Sequence, residues 1–206
     1  EIVTNAASPI GEPFLTSDGD RVSFGVAAPP SGQTVYLREK DLTRVAEIFI
    51  GGDALSHATG AGVAFHEDAG TPANSTFELW APTSSTLGVA SDLHRQRYSP
   101  TWQSRGPEDR PVAEVDVHET LPTAVTLDLQ SGATIVHYVA PEDGTSGAAR
   151  VHRVVFDADG VEIPGSRTVL DGSGRTRPTA VIVGDGLYLG VETPTGPLVE
   201  RYRLLR

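Results

Sequence analysis

The stretch Arg177–Leu205, RPTAVIVGDGLYLGVETPTGPLVERYRLL, reads as three short strands joined by two tight turns. Runs of Val, Ile, Leu and Tyr of strand length are separated by Gly-Asp-Gly and Pro-Thr-Gly, which supply the backbone freedom a hairpin turn needs. Weaker copies lie upstream. The first strand, a, matches LPTAVTLDLQSG at 121–132, and more loosely EPFLTSDGD at 12–20 and GAGVAFHEDAG at 60–70. The second, b, matches TIVHYVAPEDGTSG, VSFGVAAPPSG and TFELWAPTSS, which share a small residue, a proline and a small polar loop at their ends. The third, c, matches ARVHRVVFD, TVYLREKD and TLGVASDLHR. A fourth strand, d, precedes each a: EIVTN at 1–5, VAEIFIGG at 45–52, VAEVDVHE at 112–119 and RTVLDGS at 167–173. A four-strand unit repeated at about 50 residues lies in the range of propellers and other repeat folds.

Composition agrees with an all-β protein. Apolar residues do not recur at helical spacing over any long window, and 22 glycines and 15 prolines punctuate the strands. At 206 residues the chain can bury a core without disulfides or structural metals, consistent with its lack of cysteine. That lack excludes thiol nucleophiles, zinc–thiolate sites and disulfide chemistry. The formal net charge of −11 argues against nucleic acid, whose binding draws on clustered cations. No apolar run approaches the roughly 20 residues of a membrane-spanning helix. The chain has no methionine and starts at Glu1, so a removed leader or a missing upstream segment is expected, and with it an extracytoplasmic setting.

On this repeat anatomy the chain resembles the β-propeller superfamily. Its size resembles that of a four-bladed member, similar in architecture to hemopexin-like domains. The resemblance implies that strand a lines a central axis and strand d lies at the rim. Hemopexin-like domains tie their ends with a disulfide that this chain cannot form, so their ligands are not carried over. The expected blades are approximately 1–41, 45–96, 112–158 and 167–206, within a single domain. EIVTN is expected to pair beside the C-terminal strand, closing the ring and removing an exposed sheet edge. The alternative is half of an eight-bladed ring.

Loops carry most binding residues, because sheets position them while leaving their sequences free. With this strand order the d–a and b–c connections share one face. That face is the first choice for a polar-ligand or protein site, with His57, His118, Glu119, Arg175, Arg177 and Glu12. On the opposite face, Asp18, Asp68, Asp128 and Asp185 end the four a strands. Four carboxylates around one axial mouth suit a hard cation such as calcium; aspartate beside glycine is also ordinary turn chemistry. The segment 94–110, HRQRYSPTWQSRGPEDR, is long for a propeller connection. Its Arg97, Tyr98, Trp102 and Arg105 combine cations with aromatics, as interface hot spots do. It reads as a docking arm for a protein partner, or as a cover in which Trp102 folds back over the blade.

Catalytic motifs are thin: there is no nucleophile elbow, metalloprotease helix, phosphate loop or dinucleotide fingerprint. HED at 66–68 sets an imidazole beside two carboxylates, but strand alternation points neighbours to opposite faces. DADG at 157–160 reads as a turn. The expectation is therefore a noncatalytic binding or accessory propeller without a cofactor, save for the axial cation. The alternative is a carbohydrate-active propeller, a glycoside hydrolase or lyase, using axial carboxylates.

Overall fold

The computed structural model describes residues 14–18, 20–27, 33–39, 43–50, 61–82, 91–107, 109–117, 123–141 and 148–204. Among them there is no α-helix, only a 3-10 turn at Pro72–Asn74. Fifteen strands among these residues form four antiparallel sheets. The first sheet contains Phe14–Ser17 (β1), Arg21–Ala27 (β2), Gln33–Glu39 (β3) and Arg44–Ile50 (β4). The second contains Gly62–His66 (β5), Thr76–Pro82 (β6), Ser91–Tyr98 (β7) and Asp109–Val117 (β8). The third contains Ala124–Asp128 (β9), Ala133–Pro141 (β10), Ala149–Phe156 (β11) and Thr168–Val169 (β12). The fourth contains Thr176–Val183 (β13), Gly186–Thr193 (β14) and Gly196–Arg203 (β15). Each is a meander in chain order.

The all-β repeat read from the sequence is present, but its frame shifts. The divisions at 1–41, 45–96, 112–158 and 167–206 group each d strand with the a strand after it. The hydrogen bonds join it instead to the c strand before it: β3 to β4, β7 to β8 and β11 to β12. An antiparallel neighbour across a short connection is the nearest partner available to strand d. The sheets therefore run 14–50, 62–117, 124–169 and 176–203. The leading strands line up, β1 beside β5, β5 beside β9 and β9 beside β13, so strand a is the inner strand of a propeller-like array. At Gly62 the approach of β5 to β9 is so close that a side chain would strike the Thr123 carbonyl and the Val125 methyl group.

Strand alternation divides the core into three layers. On β6, Phe77, Leu79 and Ala81 join Phe14, Ala61, Tyr98 and Trp102 between the first and second sheets. Trp80, on the other face of β6, joins Leu93, Val112, Val136, Tyr138, Ala140, Val154 and Phe156 between the second and third. Val139, Val151, Leu170, Leu189 and Val191 fill the third layer. β10 is buried on both faces from Thr134 to Ala140, and so carries an almost unbroken apolar run rather than alternation.

The two ends of the array are different. Leu15 on β1 is exposed on the face opposite the buried Phe14, and Val181, Val183 and Val199 are exposed on the fourth sheet's face turned from the third. β15 is an edge strand among the described residues. The strand expected to cover it, at 1–5, lies outside them. No helix is long and apolar enough to cross a membrane among the described residues.

Candidate functional site

His57, His118, Glu119 and Glu12 lie outside the described residues, so the face chosen first is represented by Arg175 and Arg177 alone. Both are tied within the fourth sheet. Arg175 Nη1 lies 2.7 Å from Glu200 Oε2, and Arg177 Nη1 lies 3.2 Å from Glu192 Oε2.

The four a-strand aspartates sit in separate turns. Asp18 accepts from the backbone N–H groups of Asp20 and Arg21 and from the Arg21 guanidinium. Asp68 accepts from the N–H groups of Gly70 and Thr71, at 3.0 and 2.9 Å. Asp128 takes the Ser131 hydroxyl at 2.7 Å, and Asp185 pairs with Arg201 and Arg203. No three carboxylate or imidazole groups converge on a metal position among the described residues. In place of the expected axial cation site, Asp18, Asp68 and Asp128 take donors from their own turns and Asp185 takes the arginines of β15, because an aspartate after a strand is satisfied by the donors nearest to it. The turn expected at 157–160 forms in the same way, with Asp157 Oδ1 accepting from the N–H groups of Asp159 and Val161.

The docking-arm reading of 94–110 is also corrected. β7 extends to Tyr98 and β8 begins at Asp109, so the connection shortens to 99–108. It folds inward. Trp102 is only 2 % exposed. Its ring stacks on Phe77 at 4.7 Å and 10°, and its Nε1 donates to Ser23 Oγ of the first sheet at 3.0 Å. Tyr98 packs beside it at 5.4 Å. Arg105 donates to the carbonyls of Ala73 and Asn74. An indole gains more by leaving water in this pocket than by waiting for a partner.

Arg97 leads elsewhere, to a polar cluster at the junction of the second and third sheets. Its Nε donates to Glu78 Oε2 at 3.0 Å, and Trp80 Nε1 donates to Glu78 Oε1 at 2.8 Å. Glu78 is 2 % exposed. His66 Nε2 lies 3.9 Å from Glu78 Oε1 and 3.3 Å from Thr134 Oγ1 on the third sheet. Two strands across from Glu78, Asp109 takes Arg95 Nε at 2.9 Å and Nη2 at 2.5 Å. Arg95 also donates to the Gly160 carbonyl and lies over the rings of Trp80 and Phe156 at 5.3 and 5.6 Å. Gly160 has φ +81°, a conformation that favours glycine, and the Arg97 guanidinium lies against the space a side chain there would take.

The cluster is built by alternation: Glu78 and Trp80 share a face of β6, and register sets Arg97 opposite Glu78 and Arg95 opposite Trp80. Burial lowers the His66 pKa; Glu78 opposes the shift and Arg97 and Arg95 reinforce it, so the imidazole is neutral at pH 7. Burial also works against the Arg95 charge, but its hydrogen bond to Asp109 and the charges of Glu78 and Asp109 outweigh burial and raise its pKa. Asp109 is half exposed and Arg97 is 40 % exposed, which opens this end of the junction to solvent. The arrangement offers one desolvated carboxylate and one solvated carboxylate on the same sheet face. Of the residues singled out from the sequence, it gathers Arg97 and the histidine of HED; sequence reasoning misses Glu78 and Asp109. The available signal is an acidic residue amid the apolar TFELW, but its partner lies 19 positions away.

No sequence-family model matches the chain, and no curated protein matches it in sequence. Solved structures do. One described as "Glycoside hydrolase" superposes with a TM-score of 0.57 at 11 % identity, covering 93 % of this chain and 69 % of its own. Another, a BT0996 complex with RGII, gives 0.56 at 12 % identity with the same coverage. A third, "GH43 Endo-Arabinanase from Bacillus licheniformis", covers 93 % of both chains, but its TM-score of 0.35 at 10 % identity is too low to carry an argument. Likeness at these identities concerns the fold: the chain has a propeller-type fold.

Proposed function

We propose that this protein is a carbohydrate-active propeller, a glycoside hydrolase or lyase, whose working carboxylates are Glu78 and Asp109 rather than the turn aspartates. The observation that carries the reading is Glu78, almost fully buried yet held by an indole and a guanidinium at a solvent-facing junction. Glu78 and Asp109 lie on one face of the second sheet, two strands apart and offset by two residues along the strand, about 12 Å between backbones from strand spacing and rise. Glycosidic-bond cleavage uses two carboxyl groups about 5 to 10 Å apart in unlike environments. Glu78 is placed as the base and Asp109, at the mouth, as its partner carboxyl. The likeness to a structure described as a glycoside hydrolase supports the same class. The protein-docking alternative loses its anchor with the burial of Trp102.

The ring belongs to the same proposal: four blades, closed by residues 1–5 adding to β15. Exposed apolar side chains on the two outer faces, Leu15 at one end and Val181, Val183 and Val199 at the other, support a closure that brings those faces together.

The test is a screen of neutral and acidic polysaccharides for reducing ends and for unsaturated products. Turnover is expected, with kcat reduced by roughly a hundredfold or more in Glu78→Gln and Asp109→Asn, and unchanged in Asp18→Asn. Glycan binding without turnover, or full activity in Glu78→Gln, removes the catalytic assignment.

A further inference from the structure

A second polar feature crosses the third sheet, on its face toward the fourth. Register places His137 of β10 opposite Arg153 of β11, and Arg153 opposite Thr168 of β12. Directly opposed residues share a sheet face, so the three side chains form one row. Every member of the row has an orphaned buried atom. His137 is 0 % exposed and neither ring nitrogen has a hydrogen-bond partner; Arg153 Nε and Thr168 Oγ1 are likewise buried without one. Orphaned buried polar atoms are costly and uncommon, and three in register are not explained by packing.

The outer end of the row lines a cleft of about 500 Å³ between β11 and β12 on one side and β15 on the other. That volume falls within the range of small-ligand sites. Its charges are not balanced in pairs. Glu200 on the β15 wall is already held by Arg175 at 2.7 Å and by the Tyr202 hydroxyl at 2.6 Å. Arg201 is turned to Asp185 at 3.0 Å. Asp171 is exposed. Arg153 forms no ion pair among the described residues; its guanidinium carbon lies 5.8 Å from the Tyr202 ring centroid. A guanidinium held over an aromatic ring face keeps N–H donors for planar, bidentate recognition. Behind it, His137 is uncharged at neutral pH and adds no repulsion.

We propose that this cleft binds a carboxylate-bearing ligand, its carboxylate pairing with Arg153 and accepting a hydrogen bond from the Thr168 hydroxyl while the Tyr202 ring forms a wall. The carboxylate belongs to a sugar acid or to a free organic acid; the recognition chemistry is the same. The cleft shares no residue with the Glu78 and Asp109 cluster, so it stands whether or not that cluster is catalytic.

Titration of the full-length protein with galacturonate, galactose and succinate, followed by calorimetry and by amide shifts of Thr168 and Tyr202, tests the site. Galacturonate binding at least about tenfold tighter than galactose is expected, as is about a tenfold loss or more in Arg153→Gln, the scale of a charge-assisted contact. Arg153→Lys retains part of the affinity and Thr168→Val weakens it severalfold. Should Arg153→Gln fail to fold, these two variants carry the comparison. Succinate binding as tightly as galacturonate assigns the site to free carboxylates; weaker succinate binding assigns it to sugar acids. The proposal is overturned if galactose matches galacturonate, if neither carboxylate binds, or if removing the charge at 153 leaves the affinity unchanged.

Discussion

His137 shows how one side chain ties this fold to pH. Burial, with help from the Arg153 charge, lowers its pKa from 6.5 to about 3. The folded state therefore binds its proton less readily than the unfolded chain does. Stability from the neutral imidazole is fully present above pH 6.5 and is lost as pH falls from 6.5 toward about 3, at up to about 1.4 kcal/mol per pH unit. His66 and His152, also lowered chiefly by burial, act in the same direction. We predict a steep acid limb in the dependence of Tm on pH, visibly flattened in His137→Gln and His137→Leu. An acid limb identical to that of the parent would show that carboxylate protonation alone governs acid unfolding. None of this is legible in TIVHYVAP. The alternation marks a strand, but a histidine becomes a buried neutral base only when a second sheet closes over it.

At the scale of elements, hairpins are easier to read than their groupings. Strands a, b and c announce themselves through short connections such as Gly184-Asp185, whose geometry is local. The membership of strand d and the reach of β7 are set by pairing across the sheet. HRQRY looks polar enough for a loop, yet His94, Arg95 and Gln96 are buried: Arg95 meets Asp109 on β8, and Gln96 meets Ser104 and Gly106 in the connection that folds back over it. The connection 99–108 resembles a docking arm for the same reason: nothing in its own ten residues reveals Phe77 or Ser23. It is a clasp, with Trp102 joining the second sheet to the first. Trp102→Ala is expected to cost about 3 to 5 kcal/mol in denaturant unfolding, the usual loss for a large buried aromatic. Trp102→Phe, which keeps the stacking and loses the Ser23 bond, costs about 1 kcal/mol in addition to its smaller volume. A loss below about 1 kcal/mol for the alanine variant would mean that the ring does not occupy this pocket in solution.

For the whole molecule, stability turns on what covers the two ends of the sheet array. Three internal junctions bury apolar side chains between neighbouring sheets, whereas Leu15 and the trio Val181, Val183 and Val199 face outward. Repeats in a sequence report how many sheets form. They say little about whether the first meets the last, because closure depends on the small angle accumulated at each junction. Here the sequence contributes one further feature, the strand-like composition of EIVTN, which we propose adds to the edge of β15 that is unpaired among the described residues. An edge strand of five residues that also brings two apolar faces together is worth on the order of 2 to 3 kcal/mol. In a chain of this length that corresponds to roughly 5 to 10 °C in Tm. We therefore predict that removing residues 1–5 lowers Tm by that amount, and that the parent sediments as a monomer while the truncated chain self-associates through the uncovered faces. A truncated chain that melts with the parent and stays monomeric would show that the ring is not closed by this strand. A parent that sediments as a dimer would favour two four-sheet halves completing one larger ring.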